Sequence, residues 1–412
     1  MILVTIFSLR EGDIMKLLLI GISDFRELIV GGYIYVDKTE YIYKLIRNGK
    51  YYFLSRPRRF GKSLLISTLE YLFKGEKELY KGLYIEDKWK WEETYPVIRI
   101  DFAKDIKNKE DLREKMYQEL RKNYMWNKLE IPKEIRDESI LLEELIMKVC
   151  EKEKKQVVVL VDEYDKPILD VIEDKKEAKE VRRELKAFYS VLKGLDRYIR
   201  FVLITGVSKF SKVSLFNGLN QLKDISLDER YGNVCGYTQK ELEIYFKEYL
   251  EGVDLEKVKE WYNGYSFLGE RLYNPFDVLL YLDSKRFDSY WYKTGTPNFL
   301  IKLIKKKEYD VSDLENKIVK SNILEKFDIE EIRIEALMFQ TGYLTIKEEY
   351  QKEYGQEYKL GFPNKEVRIS FNEDILSILL SKDLRENIAD NIIEILKKQE
   401  IQKLKEQIEI LI

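Results

Sequence analysis

Histidine is absent from this chain, and other residue types that carry chemistry are scarce. The 412 residues include 0 His, 2 Cys and 7 Pro. Without histidine, Ser–His and Cys–His nucleophilic catalysis and His-ligated metal sites are excluded. Cys150 and Cys235 lie far apart and form no CxxC motif, so we expect neither a zinc site nor a disulfide framework, but a reducing, cytoplasmic compartment. Any chemistry must therefore use carboxylates, lysine, arginine, hydroxyl groups and Mg²⁺, as phosphoryl transfer does.

Excess charge of one sign and long apolar runs are also lacking. Lys and Arg number 72 against 74 Asp and Glu, for a formal net charge of −2. The balance gives no support to nucleic-acid binding, although a local basic face is compatible with it. No apolar run approaches the roughly 20 residues that a membrane helix needs, so we expect no membrane partner. Hydrophobic residues make up 45% of the chain, which is enough for the two or three packed domains that its length predicts.

The most informative segment that is present runs from Tyr51 to Leu65. A strand-like apolar run leads into a short turn, and GKS at 61–63 then opens an amphipathic stretch. A helix that begins there offers free N–H groups and its positive dipole end to phosphate oxygens. Arg56 stands where the common GxxxxGK[ST] loop has its first glycine. We predict that the nucleotide-binding residues are Arg56, Pro57, Arg58, Arg59, Phe60, Gly61, Lys62, Ser63 and Leu64.

A second motif lies further along the chain, where Gln156–Asp165 reads QVVVLVDEYD. The continuous apolar run predicts a central parallel strand that is buried on both faces. An acid at the end of such a strand holds Mg²⁺ in P-loop enzymes, and a base that activates water contributes about 10²–10⁴-fold in rate. We therefore predict that Ser63 and Asp162 bind the metal and that Lys62 and Glu163 are catalytic. Each motif alone could be a basic surface turn or a strand that leads into a charged loop, but their order and spacing favour a site.

A third apolar segment, Arg200–Val207, reads RFVLITGV and fits the same sheet. In many P-loop ATPases a polar residue at the tip of the neighbouring strand senses the γ-phosphate. Thr205, which we count among the catalytic residues, and Ser208 are the candidates, and either could equally be an ordinary strand-end or capping residue. An arginine from a neighbouring chain adds about 10³–10⁵ in rate in such enzymes. Candidates for that arginine are Arg200, Arg230 and Arg271.

Strand and helix patterns alternate between residues 51 and 236. This alternation predicts an α/β fold with a mostly parallel sheet and helices on both faces. Ligands of such sheets bind at the carboxyl ends of the strands. The predicted phosphate loop, the acids that follow the second apolar run and the end of the third apolar segment all lie at such ends. The predicted strands are 51–55, 96–102, 157–162, 200–207 and a short one near 224–227, and the predicted helices are 62–74, 109–125, 139–154 and 176–194.

The combination of motifs resembles the AAA-ATPase-like family of bacterial and archaeal proteins, many of which carry a C-terminal nuclease-like domain of the PD-(D/E)XK superfamily. In that family the phosphate loop resembles RPRRFGK[ST], so Arg56 is the family's own variant. The resemblance covers roughly residues 16–375. The matching stretches are GISDFRELIVGGYIYVDKTEYI at 21–42, FLSRPRRFGKSLLISTLEYLF at 53–73, VVVLVDEYDKPI at 157–168, ITGVSKFSKVSLFNGLNQLKDIS at 204–226, WYNGYSF at 261–267, YNPFDVL at 273–279, LMFQTGYLTI at 337–346 and GFPNKEVRISF at 361–371.

The resemblance implies a P-loop NTPase core of AAA-like type that binds ATP and Mg²⁺ and hydrolyses ATP. It also implies a homo-oligomer or a separate effector chain as partner. A second hypothesis is a nucleotide-gated binding module with little hydrolysis, and a third is a relic that binds no nucleotide. No strand with the acids of a nuclease follows residue 375. We therefore expect no nuclease activity and interpret the chain as a truncated or split member of the family.

Five regions are predicted along the chain. They are an N-terminal lead-in at 1–50, the ATPase core at 51–236, a helical lid at 237–310, a helical or winged-helix-like module with a hairpin at 311–375, and an amphipathic tail at 376–412. Thr238 and Glu241 form a predicted capping box that opens the lid. The aromatic segment WYNGYSF is predicted to be a turn that packs a small core rather than a base-stacking surface. Since Met15 precedes the family-like sequence, the first 14 residues are either a start-site error or a short added strand.

Overall fold

The computed structural model describes residues 16–18, 20–209, 221–295, 298–307, 309, 311, 314–324 and 332–379. The alternatives for the first 14 residues lie outside the described residues. So does the predicted amphipathic tail beyond residue 379.

Five parallel strands form the central sheet, in the order β2-β3-β4-β1-β5. Two of the three inner strands, β3 and β4, are almost wholly apolar, and every residue of β3 is buried, as expected of a strand covered on both faces. This sheet confirms the predicted α/β fold. The strands are β1 Tyr51–Ser55, β2 Val97–Asp101, β3 Val157–Asp162, β4 Ile199–Gly206 and β5 Lys223–Asp224.

Helices flank this sheet in two groups. The helix after β1, α3, packs with the first helix, α1, whereas α4, α5 and α7 pack with one another. Asn108, Asp137 and Asp174 accept hydrogen bonds from first-turn N–H groups and so fix where α4, α5 and α7 begin. The four helices predicted here are confirmed to within a few residues. The helices are α1 Phe25–Val30, α2 Thr39–Asn48, α3 Lys62–Phe73, α4 Lys109–Trp126, α5 Glu138–Glu153, α6 Lys166–Asp170 and α7 Lys175–Ser190.

The region after the sheet is rich in helices, and its start confirms the predicted capping box. Thr238 Oγ1 accepts a hydrogen bond from the N–H of Glu241 at 3.1 Å, and the N–H of Thr238 donates to Glu241 Oε2 at 2.8 Å. The helices are α8 Gln239–Tyr245, α9 Leu255–Tyr262, α10 Pro275–Ser284, α11 Tyr290–Gly295, α12 Asn298–Lys306, α13 Ser321–Leu324, α14 Ile334–Thr341 and α15 Lys365–Leu379.

Two small antiparallel sheets accompany these helices. The predicted hairpin is confirmed as β10 and β11, and β11 also pairs with β9. The prediction of a turn at WYNGYSF is wrong, because its centre forms β7, which pairs with β8. Gly264 at the middle of β7 has a φ of 127°, which only glycine adopts readily. The strands are β6 Tyr237–Thr238, β7 Asn263–Tyr265, β8 Leu272–Tyr273, β9 Ile318–Lys320, β10 Thr345–Lys352 and β11 Gly355–Gly361.

Within the described ranges, no helix is both long and apolar enough to cross a bilayer.

Gly264 provides a test of how β7 packs on the C-terminal module. A Cβ at this position would overlap the carbonyl oxygen of Pro363. Gly264→Ala should therefore lower the free energy of unfolding by about 3 kcal/mol in a denaturant titration, through overpacking and an unfavourable φ. Gly252→Ala is the matched control, since Gly252 has a φ of 70° and open space around it. The control should lose only about 1 kcal/mol. Equal losses in the two variants would contradict this packing.

Candidate functional site

A cavity of about 680 Å³ opens at the carboxyl edge of the sheet. This volume lies within the range of about 300–1,000 Å³ that is typical of small-molecule sites. One wall is the loop between β1 and α3, and a second is the acidic segment after β3. The remaining wall comes from the N-terminal lead-in at 21–38 and from residues of 234–237 and 275–279.

The loop between β1 and α3 turns sharply just before the helix. Gly61 is the N-cap of α3 with a φ of 93°, and Arg59 also has a positive φ, 66°. Glycine adopts such a φ without steric cost, which explains its place at the end of the loop. The first-turn residues Lys62–Leu64 line the cavity, and their N–H groups have no acceptor inside the helix. The start of α3 can therefore receive an anion.

Lys62 is buried inside this loop and is only 6% exposed. Its ammonium donates hydrogen bonds to the carbonyl oxygens of Arg56 and Pro57, both at 3.0 Å. Burial lowers the pKa of Lys62, and the carboxylates of Asp162 and Glu163 oppose that shift. The lysine is thus a desolvated cation between carbonyl oxygens and acids, within reach of an anion at the helix start.

Asp162 ends β3 and is 1% exposed. Its Oδ1 accepts hydrogen bonds from Thr205 Oγ1 at 2.6 Å and from the N–H of Glu163 at 3.1 Å. Within the described part of the chain, Oδ2 has no hydrogen bond. Thr205 lies opposite in β4, so adjacent parallel strands bring these two predicted residues together.

Ser63 and Asp162 suit a magnesium ion by their chemistry. Hydroxyl and carboxylate oxygens are the ligands that Mg²⁺ prefers, and at phosphate sites the ion takes only one or two protein ligands. Over the described ranges, no group of three or more Cys, Asp or Glu side chains forms a self-sufficient metal site. Two donors of this kind would need a bound phosphate to complete the ligand set of the ion.

Glu163 lines the cavity directly after β3. It has a φ of 52°, a left-handed conformation that is uncommon for a residue with a side chain and that concentrates at functional sites. Burial raises the pKa of Glu163, while Lys62 lowers it. The result is a carboxylate beside the loop with an enhanced affinity for a proton.

Asp165 fixes the segment that leaves β4. It is 1% exposed and accepts hydrogen bonds from the N–H groups of Val207 and Ser208 and from Ser208 Oγ. Burial raises its pKa, and these hydrogen bonds lower it. A Cβ on Gly206 would overlap Asp165 and the ring of Tyr164, so glycine is needed at this approach. Asp165 belongs to the DEYD motif that was recognised in the sequence, but its hydrogen-bond partners were not predicted.

The residues predicted to sense the γ-phosphate both contact acids of the site. The hydroxyl of Thr205 donates to Asp162, and that of Ser208 donates to Asp165. A sensing role stays a prediction for both.

The nine predicted nucleotide-binding residues divide into two sets. Arg58 to Leu64 line the cavity, whereas Arg56 and Pro57 do not belong to its wall. The Arg56 side chain is buried and donates hydrogen bonds to main-chain carbonyls. Arg58 and Arg59 are exposed, and Arg59 lies over the ring of Phe276 at 4.9 Å.

The three candidate arginines for action on a neighbouring chain all have contacts within their own chain. Arg200, near the start of β4, lies over the ring of Tyr95. Arg230 pairs with Asp228, which raises its pKa. Arg271 donates hydrogen bonds to main-chain carbonyls of β10. Their predicted role in trans stays a prediction.

The chain is similar to known proteins over most of its length. Residues 19–216 match a family model described as "Predicted AAA-ATPase", a range that includes the loop, the acids after β3 and all of β4. A protein of Azotobacter chroococcum mcd 1, described as an uncharacterized protein in the vnfD 5' region, is 44% identical over 363 residues. That alignment covers 88% of this chain and 70% of the relative.

The raised pKa of Glu163 predicts that this residue destabilises the folded protein at neutral pH. A carboxyl whose pKa is higher folded than unfolded binds its proton more tightly when folded, so stability falls as pH rises from about 4.5 through the folded pKa. Glu163→Gln should therefore raise the melting temperature at pH 7.5 and leave it nearly unchanged below pH 4.5.

Glu353, which is exposed in the turn between β10 and β11, provides the matched control. Glu353→Gln should give the same melting temperature as the wild type at both pH values. A Glu163→Gln protein that is less stable at pH 7.5 would contradict the burial of this carboxylate.

Proposed function

This chain belongs to the predicted AAA-ATPase family, and on that premise we propose that it binds ATP with Mg²⁺ at the carboxyl edge of the sheet and hydrolyses it. The observation that carries the proposal is the position of Lys62, buried at the start of α3 between loop carbonyls and the acids after β3. A buried cation at a helix N-terminus beside a wide cavity favours a ligand with clustered negative charge.

The phosphates would be held by the first turn of α3. The N–H groups of Lys62–Leu64 would donate to phosphate oxygens, and the ammonium of Lys62 would leave the loop carbonyls for the β- and γ-phosphates. Arg58 and Arg59 lie exposed at the cavity and would add positive charge there. A magnesium ion held by Ser63 and Asp162 would neutralise charge on the phosphates and orient them.

Water would be activated by Glu163. This carboxylate lines the cavity and has a raised pKa, which improves its action as a proton acceptor near neutral pH. Thr205 would keep Asp162 oriented through the hydrogen bond between their side chains, so that the carboxylate meets the metal in one geometry.

The purine base would lie against the apolar wall. Ile22, Ile34, Val36 and Leu279 belong to this wall, on the lead-in and on α10. The acidic residues of the cavity lining do not belong to this apolar wall, because they lie at the sheet edge or on α6.

We also propose a partner, which is either a second copy of the chain that supplies an arginine or a separate effector chain. We further propose a cytoplasmic location, which the free thiols of Cys150 and Cys235 favour.

The direct test is ATP binding with Mg²⁺, measured by calorimetry beside phosphate release. Wild type should bind with a Kd of roughly micromolar order, about −8 kcal/mol. Lys62→Ala should lose binding, and Glu163→Gln should keep binding while turnover falls about 10²–10⁴-fold. Lys74→Ala, at the far end of α3, is the control and should match the wild type. A folded wild-type protein that binds no ATP would contradict the proposal.

A nucleotide-gated module with little hydrolysis is the second candidate, and contacts with the C-terminal region favour it. A Cβ on Gly342 would come within 2.8 Å of Pro57 in the loop. The N–H of Lys209, just after β4, donates to Gln340 Oε1 at 2.8 Å. Thus α14 and the residue that follows it contact both the phosphate loop and the exit of β4.

Hydrogen exchange distinguishes the two candidates when it is combined with turnover. Under the gating hypothesis, ATP should slow amide exchange in residues 334–345 at least several-fold, and Glu163→Gln should respond equally because hydrolysis is not needed. Exchange in the remote helix α5 provides the internal control and should not change. Fast turnover without an effect at 334–345 would reject gating and leave the ATPase hypothesis.

A further inference from the structure

We propose that Arg56 is a positioning residue that holds the phosphate loop through contacts outside the cavity wall and supplies a buried positive charge to the loop. The arginine then strengthens phosphate binding, although it replaces the glycine of the common loop pattern. This inference rests on the proposed ATP site and adds a function for a side chain outside the cavity wall.

The guanidinium of Arg56 binds main-chain oxygens. Nη1 donates to the carbonyl oxygens of Ser55 and Ser226, both at 2.8 Å. Nη2 donates to those of Tyr231 and Gly232 at 3.2 and 3.3 Å. The side chain thus joins the end of β1, where the loop begins, to the segment that follows β5.

This cation is buried without a neutralising carboxylate in contact. Arg56 is 1% exposed, and none of the ion pairs found over the described ranges includes it. Burial lowers its pKa to about 10, so the guanidinium stays charged at neutral pH. Because a charge in a poorly solvated region is weakly screened, its field reaches the neighbouring loop more strongly than that of a surface arginine.

An aromatic contact connects the Arg56 guanidinium to the other end of the loop. The guanidinium carbon of Arg56 lies 4.0 Å from the centre of the Phe267 ring, a distance typical of a cation–π interaction. Phe267 packs edge-on against Phe60 at 5.6 Å between ring centres. Since Phe60 immediately precedes Gly61, Arg56 and Phe267 together contact the loop at both its first and its last residues.

The main chain of Arg56 connects the same elements. Its N–H donates to the carbonyl oxygen of Gly206 at 3.1 Å, and its own carbonyl oxygen accepts from Lys62 Nζ at 3.0 Å. A glycine at position 56 could keep these two contacts but would lose the guanidinium. The side chain's contribution can therefore be measured separately from that of the loop backbone.

Arg56→Gly, which restores the common loop pattern, is the decisive variant. We expect its affinity for Mg²⁺–ATP in calorimetry to fall about ten- to hundred-fold, the size of a lost charged interaction. Its affinity for adenosine, which has no phosphate, should change less than two-fold. Arg121→Met, which removes an exposed arginine of α4 outside the cavity wall, is the control and should alter neither affinity.

A second pair of variants covers the case in which Arg56→Gly does not fold. Arg56→Met keeps most of the side-chain volume and removes the charge, so it should lose ATP affinity and keep adenosine affinity. Arg56→Lys restores the charge but not the four-way hydrogen bonding. It should recover part of the ATP affinity that Arg56→Met loses.

The outcomes separate this inference from the proposed function. If the wild type binds no ATP, the ATP site itself is wrong. If the wild type binds ATP and Arg56→Gly or Arg56→Met binds it as tightly or more tightly, the role of Arg56 is overturned while the site stands. Equal losses for ATP and adenosine would also overturn it, because they would show a general structural role.

Discussion

The geometry of the candidate site depends on one requirement, which is that the protein itself must solvate buried charges of both signs. Lys62 and Arg56 are cations at the loop, and Asp162 and Asp165 are acids at 1% exposure beside it. Main-chain carbonyls bind the two cations, whereas hydroxyl and N–H groups bind the acids. An unpaired charge in such surroundings would cost several kcal/mol. These partners therefore determine the geometry of the loop and of both strand ends.

The remaining features of the site follow from that requirement. The partners of the acids lie in β4 and directly after it, β3 and β4 are adjacent in the sheet, and Gly206 leaves room for Tyr164 and Asp165. Three of the four carbonyl partners of the Arg56 side chain lie in the segment after β5, a strand that pairs with β1. A positive φ at Glu163 directs its side chain to the cavity at some cost in stability. Under the proposed function, stability and chemistry thus compete at Glu163.

Much of the core could be predicted from the sequence because its signals are local. Apolar runs marked the inner strands, and GKS at 61–63 marked the start of α3. The destination of the Arg56 side chain could not be predicted, since its acceptors are carbonyls that carry no sequence signal and lie as far away as Gly232. The strand at Asn263–Tyr265 was missed for a similar reason, because its partner β8 and the φ of Gly264 decide its conformation.

We propose that Lys62 is held in the loop to bind a nucleotide phosphate. The most direct measurement is an experimental structure of the wild-type protein with Mg²⁺ and a non-hydrolysable ATP analogue. We predict that Lys62 Nζ exchanges the carbonyl oxygens of Arg56 and Pro57 for phosphate oxygens, with the metal beside Ser63 and Asp162. A nucleotide bound elsewhere, or a Lys62 that keeps its carbonyl contacts while the analogue is bound, would contradict the account.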